Sequence, residues 1–428
     1  MKKEIEITLK KKEIIGLITC SIILLVYTMY KFNSYDMITI VYDEFGYWAN
    51  ASFFVGNDWS GIASTSPYYS YGYSLVLTPL LYLVSDPSVR FKISLIINVF
   101  FLITTFILLY DCGKRLFKSM RKKYIMCAAF VTMLYPSYIM NVQFTWVETL
   151  LLLIFVTIFW LFLKFEEKNK YRYVLGIGCL TIYSYMVHQR NIGLIIVVLF
   201  IFILYSILKE INPKFLLCIV IILILGLLLH RFLKELVYNH VWASMNEAVK
   251  NVNEYSGQVE KIKGLFSVLG IKLFLAGIGG RVYYILVGTC GITYFGFRYL
   301  AGAITKSFIA KMKKEQKKIE NISLLFIILA LCAQIVIAVV YMLLPTRIDS
   351  LVYGRYFEYE LAPFIFIGFL YCISKFLKIK EVVLYLLGLF ILTGLLYFTY
   401  VRIESSGYTF VTAPAVDYYY QLCGDYTF

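Results

Sequence analysis

Apolar residues in this chain come in long blocks, without the alternation or short stripes of a soluble domain. Blocks of about 17 to 25 residues recur along it, each long enough to cross a bilayer as a helix. They cover 14–30, then about 91–110, 124–141, 146–163, 172–189, 191–208, 214–232, 281–303, 322–344, 361–376 and 382–401. The pattern predicts an all-α polytopic membrane bundle of about eleven spans, because lipid offers backbone groups no other partners. Stretch 264–280 is expected to be re-entrant or interfacial. Residues 31 to about 88 form the longest extramembrane segment. It carries the turn-prone Gly56-Asn57-Asp58-Trp59 and a second short helix at 73–84, where Pro79 and Asp86-Pro87 disfavour a full span.

Composition agrees. With 61% hydrophobic and 16% charged residues, the chain cannot be a soluble globular protein. No connecting segment is long enough for a separate soluble domain, so two membrane modules are expected, 1–233 and 234–428. The nine cysteines lie in or beside apolar blocks with no CxxC pair and read as small core residues. Net charge +15 invites a nucleic-acid partner, but its distribution argues against one. Lysines and arginines gather at 2–12, 114–123, 164–172, 209–214, 306–318 and 375–380, all on one side of the predicted topology. The positive-inside rule makes that side cytoplasmic, with the C-terminus and the outer loops extracytoplasmic. No small-x-small site follows 14–30, so it is expected to be a retained helix and not a cleaved signal.

The opposite face collects the chemistry. In Val41-Tyr42-Asp43-Glu44-Phe45-Gly46-Tyr47-Trp48, a helix would set Asp43, Tyr47 and Asn50 on one side and Phe45, Trp48, Ala49 and Phe53 on the other. That predicts an interfacial helix with its aromatic side among lipid headgroups. Glu148 opens an otherwise apolar span. It either faces a wet cavity or partner, or is a helix-start acid with Thr145 as cap. Arg190, in His188-Gln189-Arg190-Asn191, puts a cation on the face that otherwise lacks them; snorkelling is its plain alternative. Arg355, in Gly354-Arg355-Tyr356, suits a phosphate in a bidentate fork, against a simple pair with Glu358 at i+3. His188, His230 and His240 show no metal spacing. The glycines from 277 to 296 follow no strand and read as packing residues, not a nucleotide loop.

In their order, these parts resemble the GT-C superfamily of integral-membrane glycosyltransferases, which includes protein O-mannosyltransferases and lipid A aminoarabinose transferases. The resemblance rests on Asp43-Glu44 in the first outer loop, the aromatic segment 68–79, Glu148-Thr149-Leu150, Arg190 to Leu194, and Gly354-Arg355-Tyr356 before Pro363. Asn191 stands where many members carry Pro, and there is no large external domain. The resemblance implies transfer of a sugar from a polyprenyl-phosphate donor to a cell-envelope polymer, lipid or protein at the extracytoplasmic face, with inversion; the short loops suggest that the membrane is a bacterial plasma membrane.

It further implies Asp43 and Glu44 as the catalytic pair, Asp43 as general base, with Glu44 or Glu148, and Tyr47, positioning the acceptor. Arg355, Arg190, His188 and Tyr356 would hold the donor phosphate. No cofactor is required; Asp43, Glu44 and Glu148 could hold an optional Mg or Mn ion. The alternatives are a flippase or transporter for lipid-linked saccharides and a polysaccharide polymerase. A transporter favours internal repeats and midplane charges, neither of which the chain displays.

Overall fold

A computed structural model describes residues 2–30, 37, 42–245, 255–313, 321–343, 351–374, 378–400 and 415. The chain folds as α1 (Lys2–Thr28), α2 (Tyr42–Phe54), α3 (Ser60–Ala63), α4 (Ser74–Leu83), α5 (Pro87–Leu116), α6 (Lys122–Met133), α7 (Pro136–Asn141), α8 (Glu148–Lys168) and α9 (Tyr171–Val187). Then come α10 (Ile192–Ile207), α11 (Pro213–Val237), α12 (Tyr255–Gly264), α13 (Val268–Gly288), α14 (Ile292–Met312), α15 (Ile322–Tyr341), α16 (Ala362–Ser374) and α17 (Ile379–Tyr400). No strand occurs among the described residues. Seven described helices are long and apolar enough to span a membrane: Pro87–Leu116, Glu148–Lys168, Gln189–Ile207, Pro213–Trp242, Val268–Gly288, Ile322–Tyr341 and Ile379–Tyr397. The protein is a multi-pass helical membrane protein.

Two of the expected blocks are interrupted, each for a local chemical reason. Block 124–141 breaks because Pro136 lacks an N–H and forces Tyr135 out of the helical region, to φ −56 and ψ 128. Block 281–303 is not one helix. Cys290 and Gly291 sit at φ 48 and 77, and two left-handed residues in succession cannot continue a right-handed helix. The supposed re-entrant stretch 264–280 instead falls largely within α13, a candidate span. Helix α14 carries Arg298, Lys306 and Lys311 and is not among the seven. Elsewhere the starts follow capping rules: the Asp86 side chain accepts from the Val89 N–H at 2.8 Å, with Pro87 opening α5. The tail 402–428 lies outside the described residues apart from Ala415, as does Thr346-Arg347-Ile348-Asp349.

Ion pairs gather the basic loops at one end of the bundle. Glu13 on α1 takes Lys114 at 3.2 Å and Lys122 at 2.6 Å. Arg115 reaches Glu167 at 2.6 Å, Lys311 reaches Glu210 at 2.9 Å and Arg298 reaches Glu381 at 2.8 Å. Helix α8 joins this end to the other. Its 21 residues rise about 30 Å, the thickness of a hydrocarbon core, from Glu148 to Lys168.

Small residues bring α14 and α16 into backbone contact. A Cβ at Gly296 would lie 2.1 Å from the Phe364 carbonyl oxygen, and one at Gly368 would lie 2.1 Å from that of Ile292. Neither oxygen can move without parting the helices. Gly368→Ala is therefore expected to destabilise the protein by about 1–3 kcal/mol, as overpacking does. A lower thermal midpoint in detergent checks it; an unchanged midpoint would show that the two helices separate at no cost.

Candidate active site

The acidic stretch is helical, as its pattern predicts. Asp43, Tyr47 and Asn50 all meet Tyr69. Asp43 takes a hydrogen bond from the Tyr69 hydroxyl, the Tyr47 ring lies edge-on to Tyr69 with centroids 5.6 Å apart, and Asn50 Nδ2 donates to the Tyr69 carbonyl at 2.8 Å. The aromatic side meets protein at two of its rings. Trp48 is buried and donates from Nε1 to Thr145 Oγ1 at 3.1 Å, while Phe45 stacks on Trp59. A Cβ at Gly46 would strike the Tyr69 ring at 2.2 Å, so this helix is held against protein on both sides. Residues 66–73 supply that second wall, and their rings explain the burial.

The two neighbouring acids part company. Glu44 is fully buried, and its Oε1 accepts from Thr145 N at 2.6 Å and Thr145 Oγ1 at 2.8 Å. Thr145 thus serves Glu44 and Trp48 and does not cap α8, whose N-cap position is Val147. Asp43 turns the other way, to Arg355. Arg355 Nη2 lies 2.6 Å from Asp43 Oδ2, and Arg355 Nε donates to Glu148 Oε1 at 2.9 Å. That same Glu148 oxygen accepts from Arg190 Nη2 at 3.1 Å. Asp43, Arg355, Glu148 and Arg190 form one row of alternating charge, drawn from four separate elements and formally neutral. Asp43 is the accessible end, its side chain 22% exposed against 2% for Glu148. The pairing of Arg355 with Glu358 does not form.

Aromatic rings frame the row. The Arg355 guanidinium carbon lies 4.0 Å from the centroid of Trp146, which stacks on Phe144. Arg190 lies 4.9 Å over Tyr356. The Tyr47 hydroxyl stays protonated because burial raises its pKa, with Asp43 and Glu148 adding to the effect. Beyond Arg190 opens a cavity of about 310 Å³. His188, Gln189, Arg190 and Tyr356 line one part, Ile192, Val336, Ile337 and Val340 line another, and Tyr69 and Tyr341 are among the remaining residues of the wall. His188 Nδ1 accepts from the Arg190 N–H at 3.2 Å, which leaves the ring hydrogen on Nε2. Burial, with Arg190 and Arg355 nearby, holds its pKa well below the usual histidine value, so it offers a hydrogen bond and no charge.

Sequence reasoning gave no role to Trp146 or Tyr69, and weighed Glu358 only as a partner for Arg355. The first two lay in stretches already singled out, but nothing in their spacing names Arg355 or Asp43 as partner. Glu358 anchors the turn that carries Arg355. It is buried and accepts from Tyr135 Oη at 3.0 Å, Ser137 Oγ at 2.7 Å and Tyr284 Oη at 2.5 Å. Burial pushes its pKa up to about 7 against the pull of those hydroxyls, and burial pushes Glu360 to about 8. A raised carboxyl pKa stabilises the fold fully below the unfolded value of 4.5; that stability drains away as pH climbs through the folded value. Thermal midpoints in detergent should fall between about pH 4.5 and 8 and then level off. Glu358→Gln should flatten the part of that slope below pH 7; an identical slope in the variant would refute the assignment.

The three carboxylates offered for a cation do not converge. Glu44 faces Thr145, while Asp43 and Glu148 share Arg355. No group of three His, Cys, Asp or Glu among the described residues could hold a metal. Fold and site define a multi-pass helical membrane protein with a buried, charge-paired centre beside an amphiphilic cavity. No family model and no curated protein matches the chain.

Proposed function

We propose that this protein is a glycosyltransferase with a GT-C-type bundle, moving a sugar from a polyprenyl-phosphate carrier to an acceptor hydroxyl at the face opposite the basic loops. One observation carries the reading: an apolar cavity ends at Arg190, and Arg190 begins a charge row that finishes at an accessible carboxylate. A prenyl phosphate has the matching form, an apolar chain ending in an anion. The positive-inside rule makes the working face extracytoplasmic in a plasma membrane.

The chemistry follows from the charges. The resting row is neutral, so an arriving phosphate has no net cation to meet until an ion pair opens. Arg355 and Arg190 are bidentate donors suited to phosphate. As Arg355 turns to the phosphate, Asp43 loses its partner and becomes a free base beside the acceptor. The acceptor oxygen then attacks the anomeric carbon, and its proton passes to Asp43. The carbon–oxygen bond to phosphate breaks, and the electron pair leaves with polyprenyl phosphate. The arginines stabilise the charge that grows there, and His188 and Tyr356 add hydrogen bonds. Attack from the side opposite the leaving group inverts the centre.

The test supplies the purified chain with a radiolabelled polyprenyl-phosphate sugar. Label transferred to an acceptor supports the proposal. Label crossing a vesicle bilayer with its phosphate bond intact would mark a transporter instead. For the donor site alone, Arg190→Gln is expected to weaken polyprenyl-phosphate binding about 10- to 100-fold, the worth of a charge-assisted hydrogen bond. Titration with the unglycosylated carrier measures it, and unchanged affinity would remove Arg190 from the site.

A further inference from the structure

A second cavity, of about 430 Å³, lies against the outer half of α11 and is lined by His230, Arg231, Lys234, Glu235, Tyr238 and Asn239 among others. It is separate from the donor cavity and stands apart from the transfer chemistry proposed above. We infer that it binds the phosphate of an anionic membrane lipid.

Two cations face one carboxylate there, so the lining has a net positive charge. Arg231 pairs with Glu235 at 2.9 Å, but both side chains are largely exposed, at 77% and 60%. Such a pair contributes little, and a phosphate can take the guanidinium from it. Lys234 already lies 5.3 Å over the Tyr68 ring, which fixes its height beside Arg231. Cations at this end of the bundle need a reason, because the basic loops sit at the other end.

The helix below the cations supplies the place for a lipid chain. Two turns before Arg231, Ile224 is 53% exposed, and Leu228 between them is 60% exposed. At 100° per residue these three lie within one narrow strip, so an acyl chain can run along α11 with its headgroup at Arg231. At its upper end the helix widens into a π turn, Tyr238–Trp242, the kind of bulge that often marks a functional site. That turn brings Tyr238 and Asn239 to the cavity.

The cavity wall is also tied to the charged row. His230 is buried, with Nδ1 3.1 Å from Tyr71 Oη, and Trp242 Nε1 donates to Asn50 Oδ1 at 2.7 Å on the helix that carries Asp43. An occupant would brace α2 and the 68–73 wall together.

The full chain, purified in neutral detergent, would be titrated with short-chain phosphatidylglycerol, with phosphatidylcholine of equal chain length, and with sodium phosphate. Phosphatidylglycerol is expected to bind more tightly than phosphatidylcholine. In Arg231→Gln/Lys234→Gln that binding should weaken about 25-fold, roughly fivefold for each cation lost. Leu227 also lines the cavity, and Leu227→Trp, which fills it and keeps every charge, should weaken binding as well. Arg231→Lys should retain it, and an unchanged melting profile shows each variant to be folded. Equal affinity for the two lipids, or wild-type affinity in the double variant, overturns the inference. Displacement by sodium phosphate as effectively as by lipid assigns the site to free phosphate and overturns the lipid as its source. None of these readings depends on sugar transfer, so the two proposals fail separately.

Discussion

Asp43→Asn is expected to lower glycosyl transfer about 10²- to 10⁴-fold, the usual contribution of a positioned general base. The loss should fall on kcat. Asn keeps the size of the side chain but removes its charge, so the row changes from neutral to net positive and the donor phosphate should bind at least as well. Folding should survive, because Arg355 keeps Glu148 at 2.9 Å and Asp43 is the most accessible member of the row. Glu44→Gln supplies the contrast. Glu44 is buried on the Thr145 backbone and hydroxyl, so its loss should show first in the melting temperature. Steady-state kinetics with a labelled donor separates the two variants. Full activity in Asp43→Asn would falsify the base assignment, and a loss carried by KM would make Asp43 a binding group.

Much of this site was legible in the sequence, for a physical reason. A charge inside an apolar block is costly, so Glu148, Arg190 and Arg355 announce themselves by standing where lipid or packed protein should surround them. Their alternation across loops whose sidedness the basic clusters predict then limits them to one face. What spacing could not give is which charge meets which. Arg355 has an acid three residues away, and helix geometry alone favours that local pair. The Arg355 side chain goes instead to Asp43 and Glu148, and Glu358 goes to three hydroxyls contributed by two other segments. Span boundaries were less legible for a similar reason. Hydropathy reports how apolar a stretch is, not whether its backbone can stay helical. At Pro136 and at Cys290-Gly291 the backbone decides, and both blocks split.

Glu148 carries the largest expected effect on stability. Its Oε1 is shared by two guanidiniums, at 2.9 Å from Arg355 and 3.1 Å from Arg190, and its side chain is 2% exposed. Removing one partner of a buried pair leaves an uncompensated charge, which typically costs about 3–5 kcal/mol. The two arginines should not suffer equally. Arg355 retains Asp43 at 2.6 Å, whereas Arg190 keeps no carboxylate: it has the Tyr359 hydroxyl and the faces of Tyr356 and Tyr359, and its Nε is already buried with no hydrogen-bond partner. The strain in Glu148→Gln should therefore fall mainly on Arg190. Adding Arg190→Met, which removes the stranded charge, should restore part of the loss, with a coupling of about 0.5–3 kcal/mol between adjacent sites. Chemical denaturation of the wild type, both single variants and the double variant in one detergent measures that cycle. Strictly additive losses would mean that Glu148 and Arg190 do not hold each other in the native protein, and the row would then be two independent contacts with no route from donor phosphate to base.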